Sequence, residues 1–331
     1  MKALVTGASG FVGYWVARKL IENGWNVKIM VRNNVPEHCK ALKAEMCYGD
    51  LQDKESLKNA LDDCQYLFHL AAHYRLWEKN PQIYYDINVH GTENLLQIAY
   101  ESNHIEKIIY TSSVATLKLD PQHNPVSEDS IATEKDMVGH YKRSKFLAEQ
   151  SVLKMVEKGY PIIIVQPSTP IGAYDVKPTP TGKIIVDFLA GKMPAYVDTG
   201  LNLVSVEDVA IGHLLAAEKG QFGRSYILGN ENLTLKQIFD LLEKVSGHKA
   251  PNIKMPYCVA YCAGFCSEIF AKLTNTVPAV PLDGVKMSRK YMFFDNTRAR
   301  TELGFEPTSV ELALKQAVDY FLQNKNQFHL I

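Results

Sequence analysis

A glycine-rich loop near the start of the chain constrains the fold more than any other feature. Gly7 and Gly10 lie between a short apolar strand predicted at residues 3–5 and a segment with helical spacing at 11–21, and Gly13 falls in the first turn of that segment. Such glycines allow a tight turn, close approach of the backbone to a pyrophosphate, and close packing of helix on strand. The free N–H groups of the helix then favour an anion. This order predicts a dinucleotide site whose pyrophosphate contacts come from Gly7, Ser9, Gly10, Phe11, Val12 and Gly13.

Strands and helices alternate through the first two-thirds of the chain. Further short apolar strands are predicted at 25–31, 66–70, 107–110 and 162–165, with helical segments at 56–61, 91–102 and 141–157 between them. Fully apolar strands in such an order indicate a parallel sheet covered on both faces. We therefore predict an α/β fold, a Rossmann-type doubly wound parallel sheet with a small, mainly helical C-terminal substrate lobe.

The texture of the sequence changes after residue 166. Four prolines between 167 and 180 mark a loop that regular structure would not cross. From residue 234 onward the chain is predicted to be mostly helical. We expect a nucleotide-binding domain from residues 1–166 and 200–230, and a substrate-binding lobe from residues 167–199 and 231–331.

Charge and composition exclude several classes of function. The chain has 36 Lys+Arg against 36 Asp+Glu, so it lacks the basic excess of a nucleic-acid binder or of a polybasic membrane anchor. The sequence enters a folded pattern at its first residues without a signal-peptide pattern. The six cysteines show no CxxC pair, which favours a reducing compartment. We therefore expect a cytoplasmic protein without a transmembrane segment.

The apolar segment 255–267 contains three of these cysteines, Cys258, Cys262 and Cys266. Their spacing of four places them on one face of a helix, where we expect them to pack as small apolar side chains. Thirteen residues cannot cross a bilayer, which needs about 20. The segment is predicted to be a core or lid helix; the alternatives are a helix lying on a membrane surface or one covering an apolar substrate.

The end of the second strand indicates which dinucleotide is bound. An NAD site calls for an acidic side chain there to accept hydrogen bonds from the ribose hydroxyls. This strand ends in Val31 followed by Arg32, without Asp or Glu. A guanidinium suits a 2′-phosphate, although Arg32 could also be a solvated surface residue. The sequence therefore favours NADP(H) and leaves NAD(H) open.

A tyrosine and a lysine four residues apart indicate acid–base chemistry. Tyr141 and Lys145 lie on the same face of a predicted helix. A nearby ammonium favours the phenolate and so lowers a tyrosine pKa from its usual value near 10. In a chain with 17 tyrosines the pair alone is weak evidence. A strand that ends in Thr111-Ser112-Ser113 strengthens it, because parallel sheets bind ligands at the carboxyl ends of their strands.

Six motifs together carry a family resemblance. They are TGASGFVG (6–13), GDL (49–51), HLAA (69–72), NVHGTENLL (88–96), TSS (111–113) and YKRSK (141–145). In this order and spacing the chain resembles the extended short-chain dehydrogenases/reductases, in their epimerase/dehydratase and dihydroflavonol-reductase-like branch. Longer strings, such as the one at 177–210, resemble the hopanoid-associated sugar epimerase subgroup, whose name says little about the substrate.

The resemblance implies roles for individual residues. Tyr141 would be the general acid/base, Lys145 would lower its pKa and bind the nicotinamide ribose, and Ser113 would orient the substrate oxygen. Other members of the cofactor site would be Asp50 and Leu51 at the adenine, Ala71 and Ala72 along the ribose and nicotinamide, and Pro167 and Ser168. Candidates with less support are Asn88 for a water or a turn, and Lys177, Asn202 and the segment 74–77 for the substrate.

These features predict an NADP(H)-dependent oxidoreductase that acts on an apolar small molecule, with a homodimer as the family expectation. One alternative is a sugar epimerase or dehydratase that oxidises and re-reduces its substrate with tightly held NAD. A second is a non-catalytic dinucleotide sensor, which the retained Tyr141 and Lys145 disfavour. His69 and His73 invite a metal interpretation, but no third ligand accompanies them, and we predict no metal site.

Overall fold

The computed structural model describes residues 1–75, 77–274 and 276–330, and in these the chain forms three sheets. The strands are β1 Lys2–Thr6, β2 Asn26–Val31, β3 Glu45–Tyr48, β4 Tyr66–His69, β5 Lys107–Thr111, β6 Ile162–Pro167, β7 Thr169–Ile171, β8 Ala195–Tyr196, β9 Gly200–Ser205, β10 Ser225–Leu228, β11 Glu231–Thr234, β12 Ile253–Lys254 and β13 Tyr291–Met292.

The helices alternate with the strands as far as β10 and then predominate. They are α1 Phe11–Glu22, α2 Glu37–Lys40, α3 Lys54–Leu61, α4 Gln82–Tyr85, α5 Thr92–Glu101, α6 Gly139–Glu157, α7 Pro180–Leu189, α8 Val206–Lys219, α9 Leu235–Ser246, α10 Tyr257–Thr274, α11 Leu282–Met287, α12 Val310–Gln323 and α13 Lys325–Phe328. Short 3₁₀ turns at Val114–Thr116 and Glu134–Asp136 and π-helical turns at Asp86–Gly91 and Ala299–Leu303 complete the regular structure.

The main sheet has seven parallel strands in the order β10-β6-β5-β4-β1-β2-β3. From β3 to β6 this is the Rossmann order, with the reversal of strand order between β1 and β4. Side chains alternate between the faces along each strand: Leu67 packs under α3, α5 and α6, whereas Phe68 packs under α1 and α8. The structure confirms the predicted doubly wound α/β fold and its helical C-terminal region.

A second core lies outside the main sheet. Apolar side chains of α7, α9 and α12, including Phe188, Phe239 and Phe321, pack against the smaller sheet of β7, β9, β11 and β13. The expected domain limits at residues 166, 200 and 230 stay predictions. In the structure β9 pairs within the smaller sheet, whereas α8 covers the main sheet and β10 extends it.

The three loop glycines differ in how strictly the fold requires them. Gly7 has φ +75°, and a Cβ added there would lie 2.7 Å from the Ala71 backbone nitrogen. A Cβ at Gly13 would lie 2.1 Å from the Gly7 carbonyl oxygen, whereas at Gly10 the nearest atom is 3.2 Å away. At Gly7 and Gly13, therefore, any side chain would collide with neighbouring backbone atoms, and the fold requires glycine at these two positions.

We expect Gly13→Ala to lower the free energy of unfolding by at least about 2 kcal/mol, because the methyl group forces the backbone of the loop apart. Gly10→Ala, which places the same methyl group where a neighbour need move only slightly, should cost about 1 kcal/mol or less. Urea unfolding of both variants checks the contrast. Equal losses would show that the close contact at Gly13 is relieved without strain.

Candidate active site

The glycine loop lies at the reversal of strand order and leaves the start of α1 open. The loop connects β1 to α1, and Gly10 caps the helix without a side-chain hydrogen bond. The first turn of α1 contains no acidic residue. Its amide N–H groups and the positive end of its dipole are therefore presented to the crevice, which suits a pyrophosphate.

A buried chain of hydrogen bonds fixes the wall opposite the loop. Thr6 Oγ1 accepts from the backbone nitrogens of Leu70 and Ala71, both at 3.2 Å, and lies 2.8 Å from His69 Nδ1. His69 Nε2 lies 2.9 Å from Thr92 Oγ1. Burial lowers the pKa of His69 to about 3, so the ring is neutral. The backbone of Ala71, a predicted cofactor residue, is therefore held directly against β1.

The two histidines that resemble metal ligands have other partners. His69 is enclosed by the threonines just described, and His73 Nε2 lies 2.9 Å from Glu78 Oε2. No group of three metal-ligating side chains occurs in residues 1–75, 77–274 and 276–330.

Arg32 follows β2 on the surface of the protein. Within the described part of the chain no hydrogen bond or ion pair engages its guanidinium, and no carboxylate follows this strand. Beyond the neighbouring β3, Asp50 Oδ1 accepts from the Gln52 backbone nitrogen at 2.9 Å, and the side chain of Leu51 is buried against Gly91. The assignment of Asp50 and Leu51 to the adenine, which the family resemblance implies, stays a prediction.

Tyr141 and Ser113 meet at the carboxyl end of β5. Ser113 Oγ accepts from the Ala115 backbone nitrogen at 3.1 Å. Desolvation raises the pKa of Tyr141 to about 12, and the neighbouring Ser113 hydroxyl acts in the opposite direction. The ring of Tyr74 lies over Tyr141 with centroids 4.7 Å apart. In this arrangement Tyr141 is a protonated donor beside a second hydroxyl.

Lys145 lies one helical turn further along α6 and is almost completely buried. Its Nζ donates to the Thr111 carbonyl oxygen at 2.8 Å and to the Tyr110 hydroxyl at 3.4 Å. Burial lowers the pKa of Lys145 to about 8, against a raising influence from Glu149. The ammonium thus bonds to β5, and its expected effect on the pKa of Tyr141 stays a prediction.

Glu149 is a site residue that the sequence analysis missed. Its buried carboxylate accepts from the hydroxyls of Ser112 and Thr116 and, at 3.1 Å, from the Gln166 side-chain amide. Burial raises its pKa. The hydrogen bond from Ser112 to Glu149 also distinguishes the two adjacent serines, because Ser112 faces Glu149 while Ser113 faces Tyr141. The spacing of Tyr141, Lys145 and Glu149 at four-residue intervals was a signal in the sequence that could have identified it.

Asn88 supports the same helix from the other side. It lies in the π-helical turn Asp86–Gly91, and its Oδ1 accepts from the His73 backbone nitrogen at 2.6 Å. Its Nδ2 donates to the His73 carbonyl oxygen at 3.1 Å and to Ser144 Oγ at 2.9 Å. Asn88 therefore ties the segment after β4 to the part of α6 between Tyr141 and Lys145.

Ser168 tests whether a cofactor fits this crevice. It follows Pro167 at the carboxyl end of β6, and its Oγ is buried without a hydrogen-bond partner in the described structure. A buried hydroxyl without a partner is unfavourable, and a bound ligand would supply one. Together with the uncapped start of α1 and the glycine cradle, it fits a dinucleotide lying along these strand ends.

A cavity of about 520 Å³ lies beyond the carboxyl end of β5. Its wall combines apolar and aromatic residues, among them Ala115, Leu117, Tyr257 and Tyr291, with five basic side chains, Lys118, Lys142, Lys286, Arg289 and Lys290. Two of its lining residues, Ala115 and Lys142, are close in the chain to Ser113 and Tyr141. It is a candidate space for a substrate.

The substrate candidates with less support differ in their surroundings. Tyr74 contacts Tyr141, as stated, whereas Leu76 lies outside the described residues. Asn202 is buried and donates to Asn232 Oδ1 at 2.7 Å, which is a structural contact within the smaller sheet. Lys177 is exposed after β7.

Comparisons with known proteins agree with this geometry. Residues 3–229 match the model of the NAD-dependent epimerase/dehydratase family. A Synechocystis protein provisionally named dihydroflavonol 4-reductase is 42% identical over 322 residues, covering 96% of this chain and 93% of the relative. Sterol demethylase protein B of Methylococcus capsulatus is 30% identical over 329 residues, covering 97% and 98%. The crystal structure of gox2253 superposes with a TM-score of 0.87 at 44% identity, covering 97% of this chain and 98% of that one.

We expect Glu149→Gln to lower the pKa of Lys145 below its value of about 8, because the negative charge that favours the ammonium is removed. NMR titration of isotopically labelled lysine side chains, with the signal assigned by its loss in Lys145→Met, measures this shift. Glu149→Ala should in addition cost at least about 3 kcal/mol of stability, since it leaves several buried donors unpaired. An unchanged Lys145 titration in Glu149→Gln would contradict the electrostatic link.

Proposed function

The chain belongs to the NAD-dependent epimerase/dehydratase family of extended short-chain dehydrogenases/reductases, and from that membership we propose that it is an NADP(H)-dependent carbonyl reductase. It is an NAD(P)-dependent enzyme that acts on a small molecule. The proposal adds the phosphorylated cofactor, the direction of the reaction and an apolar substrate. The observation that carries it is the contact of Tyr141 with Ser113 at the sheet edge shared with the glycine loop.

The cofactor would lie across the strand ends. We assign the pyrophosphate to the loop and first turn of α1, at Gly7, Ser9, Gly10, Phe11, Val12 and Gly13. Asp50 and Leu51 would line the adenine, and Ala71, Ala72, Lys145, Pro167 and Ser168 the ribose and nicotinamide. The preference for NADP(H) rests on Arg32, an unengaged guanidinium where an NAD site has a carboxylate.

The proposed reaction divides between cofactor and protein. A bound nicotinamide would supply the hydride to the carbonyl carbon. Tyr141 donates its hydroxyl proton to the carbonyl oxygen, which becomes the alcohol, and the tyrosinate regains a proton from solvent. Ser113 holds the same oxygen by a hydrogen bond and thus orients the carbonyl. The high pKa of Tyr141 keeps the proton on the residue until the substrate oxygen gains negative charge.

Lys145 would act on the tyrosinate rather than on the substrate. Its ammonium is anchored on the Thr111 carbonyl oxygen, and the residue lies one helical turn along α6 from Tyr141. A positive charge at that position stabilises the phenolate that proton transfer leaves. Because its own pKa is about 8, Lys145 is mostly protonated at neutral pH and loses this function as the pH rises above that value.

The substrate class follows from the cavity and the relatives. Ala115, Leu117 and Leu119 form an apolar wall, and Tyr257 and Tyr291 add aromatic surface. The names of two relatives refer to a flavonoid and a sterol, both of which contain several carbon rings. We propose a ketone on a largely apolar ring system as the substrate.

A sugar epimerase or dehydratase is the second candidate, and one observation favours it. The cavity wall contains five basic side chains and only two carboxylates, Asp120 and Asp136, which would suit a diphosphate. An epimerase returns its hydride to the substrate, so it consumes no cofactor over many turnovers. Oxidation of one cofactor molecule for each apolar ketone reduced supports the reductase. Turnover of a sugar diphosphate without net oxidation of the cofactor supports the epimerase.

Arg32→Ala provides a test of the cofactor assignment. We expect the wild-type protein to bind NADPH at least about tenfold more tightly than NADH, since charge-assisted contacts to a phosphate contribute about 1.5–3 kcal/mol. The variant should lose that preference while its NADH affinity is unchanged. Calorimetric titration of both cofactors measures it, with NADH as the internal control. A wild-type preference for NADH would refute the assignment.

Tyr141→Phe provides a test of the acid. Removing the hydroxyl should lower kcat by about 10²–10⁴ with cofactor affinity unchanged, because the proton donor is lost and the ring remains. Tyr74→Phe is the matched control, since the ring of Tyr74 contacts Tyr141 but its hydroxyl has no role in the proposed proton transfer. NADPH oxidation with a panel of steroid-like and flavonoid ketones is the measurement. Full activity of Tyr141→Phe would exclude Tyr141 as the proton donor.

A further inference from the structure

The lining of the 520 Å³ cavity is positively charged although the whole chain has no net charge. Its charged residues are five basic and two acidic side chains: Lys118, Lys142, Lys286, Arg289 and Lys290 against Asp120 and Asp136. These residues come from the loop after β5, from α6 and from the segment between α10 and β13. The tertiary structure therefore concentrates a charge that the composition does not show.

Both carboxylates of the lining are already hydrogen-bonded to their own loops. Asp120 accepts from the Gln122 backbone nitrogen at 3.0 Å and from Asn124 Nδ2 at 2.6 Å. Asp136 accepts from the backbone nitrogen and the hydroxyl of Thr133, both at 2.8 Å. These bonds hold the two carboxylates in place, so neither is free to follow a basic side chain of the cavity.

Four of the five basic side chains have some compensation for their charge. Lys286 Nζ lies 3.5 Å from Asp283 Oδ1, and the Arg289 guanidinium lies over the Tyr257 ring, 4.9 Å from its centroid. Hydrogen bonds from Thr133 lower the pKa of Asp136, and the charges of Lys118 and Lys290 add to this effect, so both ammonium groups face a carboxylate.

Lys142 is the exception among the described residues of the lining. It follows Tyr141 directly on α6, and its Nζ contacts the thioether sulfur of Met292 at 4.0 Å, which is a weak acceptor. Burial, together with the like charge of Lys290, lowers the pKa of Lys142 to about 8. A partly buried ammonium next to a second ammonium is unfavourable, and a bound anion would compensate both.

We propose that Lys142 and Lys290 form a subsite for an anionic group, a carboxylate or a phosphate, of the molecule that occupies this cavity. The lining also includes Ala115, whose backbone nitrogen donates to Ser113 Oγ at 3.1 Å, and Lys142 is adjacent to Tyr141 in the chain. The subsite thus belongs to the same cavity as the proposed substrate. Lys142 is a specificity-determining residue that selects a negatively charged molecule.

The part of this subsite in catalysis rests on the proposed reductase function, whereas binding of the anion does not. With that function, the substrate is a ketone whose apolar ring system also carries a carboxylate or a phosphate. The apolar wall at Leu117 and Leu119 would contact the rings, and the anion on Lys142 would fix their orientation. A sugar diphosphate, which the second candidate function would supply, shares the same anionic chemistry.

The test is equilibrium dialysis of the full-length protein, without added cofactor, against probes that differ in charge. Three of them share one ring system: 2-acetylnaphthalene, 6-acetyl-2-naphthoic acid and 6-acetyl-2-naphthyl phosphate. The fourth is UDP-glucose, which represents a sugar diphosphate. We expect the wild-type protein to bind at least one of the two anionic ketones about tenfold more tightly than the neutral ketone, because a charge-assisted hydrogen bond is added.

Variants of Lys142 assign this preference to one side chain. Lys142→Met removes the charge and keeps an unbranched side chain, so it should bind the neutral and the anionic ketones about equally, whereas Lys142→Arg should keep the preference. Lys135→Met is the matched control, because Lys135 is exposed in the 3₁₀ turn Glu134–Asp136 and lies outside the cavity lining. It should bind all probes like the wild-type protein.

Thermal unfolding of the ligand-free protein separates a binding role of Lys142 from a structural one. Lys142→Met should raise the melting temperature, because an uncompensated charge leaves a partly buried position, and Lys135→Met should leave it unchanged. A lower melting temperature of Lys142→Met would show that the ammonium stabilises the fold and would overturn the proposal.

The dialysis results decide the rest. Equal affinity of the wild-type protein for neutral and anionic ketones, without binding of UDP-glucose, would overturn the subsite, and a preference that persists in Lys142→Met would overturn the assignment to Lys142. Binding of UDP-glucose that is tighter than that of both anionic ketones and is lost in Lys142→Met would support the subsite and identify its anion as a diphosphate.

None of these measurements involves turnover, so the two proposals can fail separately. A protein that prefers the anionic probes but reduces no ketone would count against the reductase function and leave the subsite intact. A protein that reduces neutral ketones and shows no anion preference would support the reductase function and overturn the subsite.

Discussion

The contact between the glycine loop and the segment after β4 is the constraint on which the rest of the site depends. Gly7 lies so close to the Ala71 backbone that no side chain fits between them, and Gly13 is equally close to the Gly7 carbonyl. Thr6 reinforces the contact, because its hydroxyl accepts from two backbone nitrogens after β4. These contacts fix the glycine loop where the strand order reverses. The backbone N–H groups of the first turn of α1 therefore face the crevice at that point.

The helix α6 positions the residues of the proposed chemistry against the same edge of the sheet. Tyr141, Lys145 and Glu149 follow one another along one face of the helix and contact three different parts of the sheet edge: Ser113, the Thr111 carbonyl oxygen, and the pair of Ser112 and Gln166. A buried carboxylate and a buried ammonium are each unfavourable alone. Here the carboxylate is hydrogen-bonded and raises the pKa of the neighbouring ammonium, so each charge favours the other.

The lobe after β6 follows different rules. Its core is built from α7, α9 and α12 on a small sheet, and these elements come from separate parts of the chain. The helix α10 joins neither core by its outer face. Its composition would suit the interior of a protein, yet its surroundings in the described structure leave it on the surface. The expectation that Cys258, Cys262 and Cys266 pack inside the protein is therefore wrong, because helical spacing places them on one face but the fold leaves that face outside. No described helix is long and apolar enough to cross a membrane.

The sequence by itself determined the local parts of this protein. The glycine motif specified the first turn between strand and helix, and the periodicity of apolar residues predicted α1, α3, α5 and α6 within a few residues of their observed bounds. Local hydrogen bonds and side-chain periodicity govern such elements, so a single segment contains the information. The identities of Tyr141 and Lys145 as a pair follow from the same helical spacing.

Only the tertiary structure decided what depends on residues distant along the chain. The strands β7, β9, β11 and β13 have weak individual patterns and form because they pair with one another. Alternation along the strand cannot say which of Ser112 and Ser113 faces the site, and only the family resemblance favoured Ser113; in the structure Glu149 and Tyr141 lie on opposite sides of the two serines. The face of α10 is readable from its spacing, but whether other elements cover it is not, because burial is a property of the packed molecule and spacing is a property of one helix.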